Sequence, residues 1–129
     1  MFDTLDIFKT AHAAAKHAAG RQSVVAENVA NSDTPGFKAR DIGTFEDLVN
    51  QSSTSGLRTT RETHINTPAN TRSTGTFIDR NLEASPNGNT VSIETEMLKS
   101  IEAERQHSRA MAVYQSSLNI LRSSLGRGG

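Results

Sequence analysis

Two stretches of this chain, Asp3 to Asn31 and Thr90 to Leu125, each read as one uninterrupted helix, while the residues between them can bury almost nothing. Helical stability in proteins comes mostly from packing an apolar stripe rather than from intrinsic propensity. The first partner for each stripe is therefore the opposite end of the chain. At about 1.5 Å per residue the two helices span roughly 43 and 54 Å, so the predicted fold is mainly α: two long terminal helices pairing as an elongated, coiled-coil-like hairpin around an irregular or weakly β middle. Three regions follow: 1–31 as the first helix, 32–89 as a turn plus extended segment, and 90–129 as the second helix.

In the first helix Leu5, Phe8, Ala15, Ala18, Gln22, Val25 and Val29 recur at three- and four-residue steps or their multiples, and Ala11, Ala13, Ala14, Ala19 and Ala26 leave its flanks small. Alanine is also the best helix former, so the small flank has a purely local explanation as well. Asp3 or Thr4 can cap the start. The second helix has Thr90 or Ser92 as N-cap candidates, Glu94 and Glu96 in its first turn, and Arg122 before a Gly126 stop. Its stripe runs Met97, Ile101, Ser108, Met111, Gln115, Leu118 and Leu125, with Glu104 on the same line. Leu98, Ala112 and Leu121 form a second line, and Val113, Tyr114 and Ile120 point elsewhere. One partner helix leaves some of these wet. At about 25 cal/mol per Å² and about 100 Å² each, four such side chains left in water forgo on the order of 10 kcal/mol as an upper bound, which lateral association of several copies would recover.

Between the helices the sharpest local signal is Asn31-Ser32-Asp33-Thr34-Pro35-Gly36-Phe37. Proline pushes Thr34 out of helical geometry, and Gly36 can supply the positive φ required at the third position of a type II turn. Ile42, Phe45, Leu48 and Val49 can dock a short element, with Thr44 capping a single turn from Phe45. From 50 to 89 only Leu57, Ile65, Phe77, Ile78 and Leu82 are large and apolar, which predicts an extended course with a weak hairpin around Thr76 to Ile78. Asn87 and Gly88 mark a turn.

Composition excludes several classes. Lys plus Arg and Asp plus Glu number 14 each, so the electrostatic footprint of a nucleic-acid or anionic-membrane binder is missing. With no cysteine there are no disulfides or thiolate metal sites. No apolar run reaches the roughly 20 residues of a membrane span, and the start MFDTLDIFKT lacks the basic and apolar regions of a secretory signal, so any export is expected to use another route. His12 and His17 are five apart, the wrong spacing for shared helix-face ligands, and all four histidines read as surface or groove residues. No G-x-S-x-G elbow and no glycine-rich phosphate loop occur. Glu94, Glu96, Glu102 and Glu104 read as a solvated helix face. No catalytic, cofactor or metal site is expected.

The opening MFDTLDIF, RQSVVAENVANSDTPGFKARDI from Arg21 to Ile42, NGNTVSIETEM from Asn87 to Met97 and YQSSLNIL from Tyr114 to Leu121 resemble the proximal-rod proteins of the bacterial flagellar basal body, the FlgB family. The resemblance covers roughly two thirds of the chain at its two ends. The ANVANSDTPGFKA-type block is shared more loosely by other flagellar axial subunits; the following ARDI and the short length favour FlgB. The chain departs from the usual pattern at Ser32, Phe37 and the Gly43, Thr44 pair.

The resemblance implies a structural subunit whose paired terminal helices stack into a helical tube that transmits torque and forms part of the export channel, after signal-less export by the flagellar type III apparatus to a periplasmic rod. The implied partners are further copies, other rod subunits, basal body ring or adaptor proteins and the export apparatus. On that reading Phe8, Ala15, Val25 and Val29 meet Met97, Ile101, Met111 and Leu118 within a subunit or across neighbours. Gln22, Asn28, Asn31, Gln115 and Asn119 set register or face solvent or the lumen, and Thr34, Pro35, Gly36 and Phe37 touch an adjacent subunit. The alternatives are another axial rod subunit, or a helical adaptor or secreted effector that binds one unrelated protein as a stable monomer or small closed oligomer.

Overall fold

The computed structural model describes residues 2–54, 76–79 and 81–126. Helix α1 (Phe2–Ala30) runs antiparallel to the last helix of the chain, α3 (Ile93–Leu125), and this pair is the body of the molecule. The antiparallel register is marked by Phe8 on Tyr114, Gln22 on Ser100 and Asn28 on Glu96. Phe8 and Tyr114 meet edge to face with centroids 5.1 Å apart, a contact in which the positive edge of one ring faces the negative face of the other.

Buried positions repeat every seven residues on both helices. The repeating set is Ala11, Ala18 and Val25 on α1, flanked by buried His17, Val24 and Asn28, and Glu96, Ala103, Ala110 and Ser117 on α3. A strict seven-residue spacing keeps one seam facing the partner only if the helices wind left-handedly around each other. Alanine and serine at those sites let the backbones approach closely. The expected α3 stripe lies one residue along: Met97 is 60% exposed and Ile101 and Met111 are 47% exposed. One residue is about 100° of rotation, so those side chains sit on the flank rather than in the seam. The α3 seam instead uses small residues, which a hydrophobicity pattern underweights.

Ser92 caps α3 by accepting from the Thr95 N–H, and the Gly126 N–H closes the other end on Arg122 O at 2.8 Å. The chain leaves α1 through a turn in which Phe37 N donates to Thr34 O while Gly36 takes φ +73°, the type II geometry predicted from Pro35-Gly36. Strand β1 (Arg40–Ile42) follows, then helix α2 (Phe45–Thr54). Thr44 and Asp47 cap α2: Asp47 N donates to Thr44 Oγ1, whose hydroxyl donates to the Asp47 carboxylate at 2.6 Å. With that start the element extends to Thr54, well beyond the single turn expected.

Strand β2 (Thr76–Ile78) pairs antiparallel with β1, Arg40 opposite Ile78 and Ile42 opposite Thr76. The partner of 76–78 is thus thirty-odd residues upstream, not a local hairpin arm. The expectations on Leu57, His64, Ile65 and Arg127, and on the course of 55–75, lie outside the described residues.

A candidate assembly surface at the two ends of the chain

Below the α1–α3 seam, polar side chains lock the hairpin to the segments that leave and enter it. Asn28 is completely buried. Its Nδ2 donates to Arg40 O at 2.7 Å and to Glu96 Oε2 at 3.0 Å, while its Oδ1 accepts from Arg40 N at 3.0 Å. One amide therefore completes the backbone of β1 and fixes α1 against α3.

Glu96, 1% exposed, is no solvated face residue. Its second oxygen faces Lys99 Nζ at 3.4 Å, Lys99 reaches Asp41 at 3.0 Å, and Arg21 lies 3.6 Å from Asp41 and 3.4 Å from Glu102. Arg21 Nε, Glu96 Oε1 and Lys99 Nζ make these contacts as ion pairs without well-aligned hydrogen bonds. Partial burial disfavours the Lys99 cation, but its close contact with Asp41 and the attraction of the Asp41 and Glu96 carboxylates outweigh it and hold its pKa above the ordinary 10.5.

A second buried amide closes the turn. Asn89 Nδ2 donates to the carbonyls of Asn31, Ser32 and Thr34 at 2.8–2.9 Å, and its Oδ1 accepts from Val91 N. Its two amide hydrogens, one of them shared, thereby meet the carbonyls of the turn that follows α1 with a side chain from just before α3. Gly36 N donates to Asn87 O, Thr90 N to Phe37 O, and Ala39 N to Thr90 Oγ1. A Cβ on Gly88, at φ +83°, would sit 3.4 Å from Gly36 Cα, so the two turns touch through their glycines. The turn motifs at 31–39 and 85–90 form one unit.

The expected assembly residues fall into three environments. Val25 and Asn28 are interior, while Phe8, Ala15, Asn31, Phe37 and Leu118 are half-buried. Gln22, Val29, Thr34, Pro35, Gly36, Met97, Ile101, Met111, Gln115 and Asn119 are exposed in the single chain. Gln22 nevertheless donates to Ser100 Oγ at 2.8 Å, and Asn31 turns back on Glu27 O. Within the subunit, then, Met97, Ile101 and Met111 do not fill the seam with α1.

Sequence reasoning missed Asp41, Glu96, Lys99, Asn89 and Thr90. The exact seven-residue recurrence of Glu96 with Ala103, Ala110 and Ser117 was the available signal. His17 was also misplaced: it is 5% exposed, with Nε2 donating to Gly43 O at 2.7 Å and its ring tilted against Phe45.

Large apolar side chains remain outside on both helices: Leu5, Ile7, Met97, Leu98, Ile101, Ile120 and Leu125 are each 45% exposed or more. Isolated exposed apolar residues are ordinary, but this many on one hairpin make its outer faces candidates for contact with another chain. Among the described residues no group of three His, Asp or Glu side chains is placed to hold a metal ion, and no helix is long and apolar enough to cross a membrane.

Residues 8–38, which comprise most of α1 and its exit turn, match the family described as flagella basal body rod protein. Over 107 residues the chain is 30% identical to the flagellar basal body rod protein FlgB of Agrobacterium fabrum, with 80% of each chain covered. Over 108 residues it is 32% identical to the flagellar basal body rod protein FlgB of Aeromonas hydrophila, covering 81% of this chain and 76% of the relative.

Proposed function

Because the chain belongs to the FlgB family and is a structural component of the flagellar basal body rod, we propose that it builds that rod by stacking its α1–α3 hairpin against further copies and other rod subunits in a helical tube. The observation that carries this reading is the large apolar surface left uncovered on a hairpin whose seam is already filled. Each copy presents one face to a different face of the next, the kind of contact that generates helical arrays rather than closed pairs. Residues 1–31 and 90–129 form the axial core, and 32–89 the part that leaves it. Phe8, Ala15, Val25 and Val29, with Met97, Ile101, Met111 and Leu118, contribute to the packing within and between copies. The turn Thr34-Pro35-Gly36-Phe37 abuts a neighbour. Ring or adaptor proteins and the type III export apparatus are the remaining partners, the tube carries torque and encloses part of the export channel, and the role is structural with no catalytic step.

The test is complementation. In a flagellated bacterium deleted for its own rod subunit, this chain is expected to restore basal bodies and to co-purify with them. Restored motility with the chain absent from purified basal bodies would refute the rod role. Gly36→Val is expected to abolish the rescue while leaving expression intact. A Cβ at Gly36 meets nothing within 4 Å in the subunit, so within one copy the defect is the cost of holding a β-branched residue at φ +73°. Normal basal bodies from that variant would show that the turn geometry is dispensable.

A further inference from the structure

The uncovered surface has two distinct parts. On one flank, α1, α3 and Phe45 at the start of α2 enclose an open, mostly apolar groove of about 580 Å³, whose apolar lining includes Ile7, Ala11, Phe45 and Val113 and whose polar lining is Asp6, already paired with Lys9, together with Thr10, Gln106 and Arg109. On another, α3 carries an exposed stripe of Met97, Ile101, Glu104, Ser108 and Met111. At 3.6 residues per turn the α3 residues that line the groove and those of the stripe lie about 170° apart around the helix axis. Arg109 has no hydrogen bond or ion pair among the described residues, and neither has Glu104.

We propose that the groove receives the Met97–Ile101–Met111 stripe of a second copy, with Glu104 of that copy paired to Arg109. This rests on the rod reading and names the contact that carries it. The stripe keeps one face of a helix: Met97 and Ile101 lie one turn apart and Met111 almost three turns further on, with Glu104 and Ser108 on the same line between them. Ala11, Ala14 and Ala110 keep part of the groove wall short, which leaves room for the bulkier Met and Ile side chains that the α3 seam excludes. Charge supplies the register: the groove offers a cation without a partner, and the stripe offers an anion in the same state. Since donor and acceptor surfaces lie on opposite flanks of α3, a chain that fills its neighbour's groove still has its own groove open. The contact repeats without closing.

The absence of cysteine allows a test free of background. The Glu104→Cys/Arg109→Cys chain places two thiols five residues apart on one helix, about 140° around it and therefore unable to bridge within a molecule. Oxidation of purified basal bodies containing this chain is expected to give a ladder of covalent dimers, trimers and longer species.

Charge reversal gives a second readout. Arg109→Glu and Glu104→Arg are each expected to weaken self-association of the purified protein at least about tenfold in sedimentation, and the double variant to recover most of it. Circular dichroism on each variant confirms that the hairpin is intact. Dimers alone in the gel, or single reversals that associate like the parent, would overturn the contact. A chain present in basal bodies without the ladder loses this contact and keeps the rod assignment. One that forms the ladder in concentrated solution but never enters basal bodies keeps the contact and loses that assignment.

Discussion

Replacing Asn28 with alanine is expected to cost about 3 to 5 kcal/mol of folding stability, read as a lower denaturant midpoint by circular dichroism. The side chain is fully buried and makes three hydrogen bonds, two of them to the backbone of Arg40. Truncation leaves the Arg40 N–H and C=O unpaired and removes a donor from the buried Glu96 carboxylate; each orphaned group costs about 1 to 3 kcal/mol, and a charged one more. Domains of this size hold only about 5 to 15 kcal/mol in total. Asn28→Asp keeps the acceptor for Arg40 N but sets a second carboxylate against Glu96, so it should not rescue the loss. A change below about 1 kcal/mol for Asn28→Ala would mean that water replaces the amide, and that the β1 junction does not hold the helices together.

Lys99→Met is expected to destabilise the hairpin by about 3 kcal/mol at neutral pH, since it leaves Asp41 and Glu96 without the cation between them. Adding Glu96→Gln should return part of that loss by removing one of the two charges. The effect has a definite pH dependence. The pKa of Lys99 is higher in the folded chain than the ordinary 10.5, so folding favours its protonated form. That contribution is complete below the unfolded value and disappears as pH rises through the folded one. The difference in urea midpoint between parent and Lys99→Met should therefore stay level from neutral pH to about 10 and shrink above about 10.5. A gap that narrowed instead between pH 5 and 8 would assign the effect to another group.

The helices were legible because their signals are local. Alanine-rich composition, Ser92 followed by an acidic first turn, and Pro35-Gly36 each act within a few residues, and the structure has α1, the α3 cap and the type II turn where those residues put them. The face that α3 turns toward α1 was not legible. A hydrophobic-stripe reading selects Met97, Ile101 and Met111, whereas the seam is chosen by size, through Ala103, Ala110 and Ser117. In a subunit that must also be covered by neighbours, the bulkiest residues do not have to be the ones facing its own partner helix.

Glu96 was read as solvated for a related reason. Its two partners, Asn28 and Lys99, become neighbours only after the hairpin forms, and Asp41 joins only once β1 is placed. Asn89 is the same case. The turn signal lies in Asn87 and Gly88 beside it, and its own bonds to the turn after α1, 55 to 58 residues away, depend on tertiary structure.

The pairing of Ile42 with Thr76 brings the two ends of the intervening stretch together beside the helix pair. Closing such an excursion grows dearer only with the logarithm of its length, at about 0.6 kcal/mol per doubling. Lengthening the chain by a dozen residues between Thr54 and Thr76 should thus leave the melting temperature of the two-helix shaft nearly untouched, because the closure at Ile42 and Thr76 is already made.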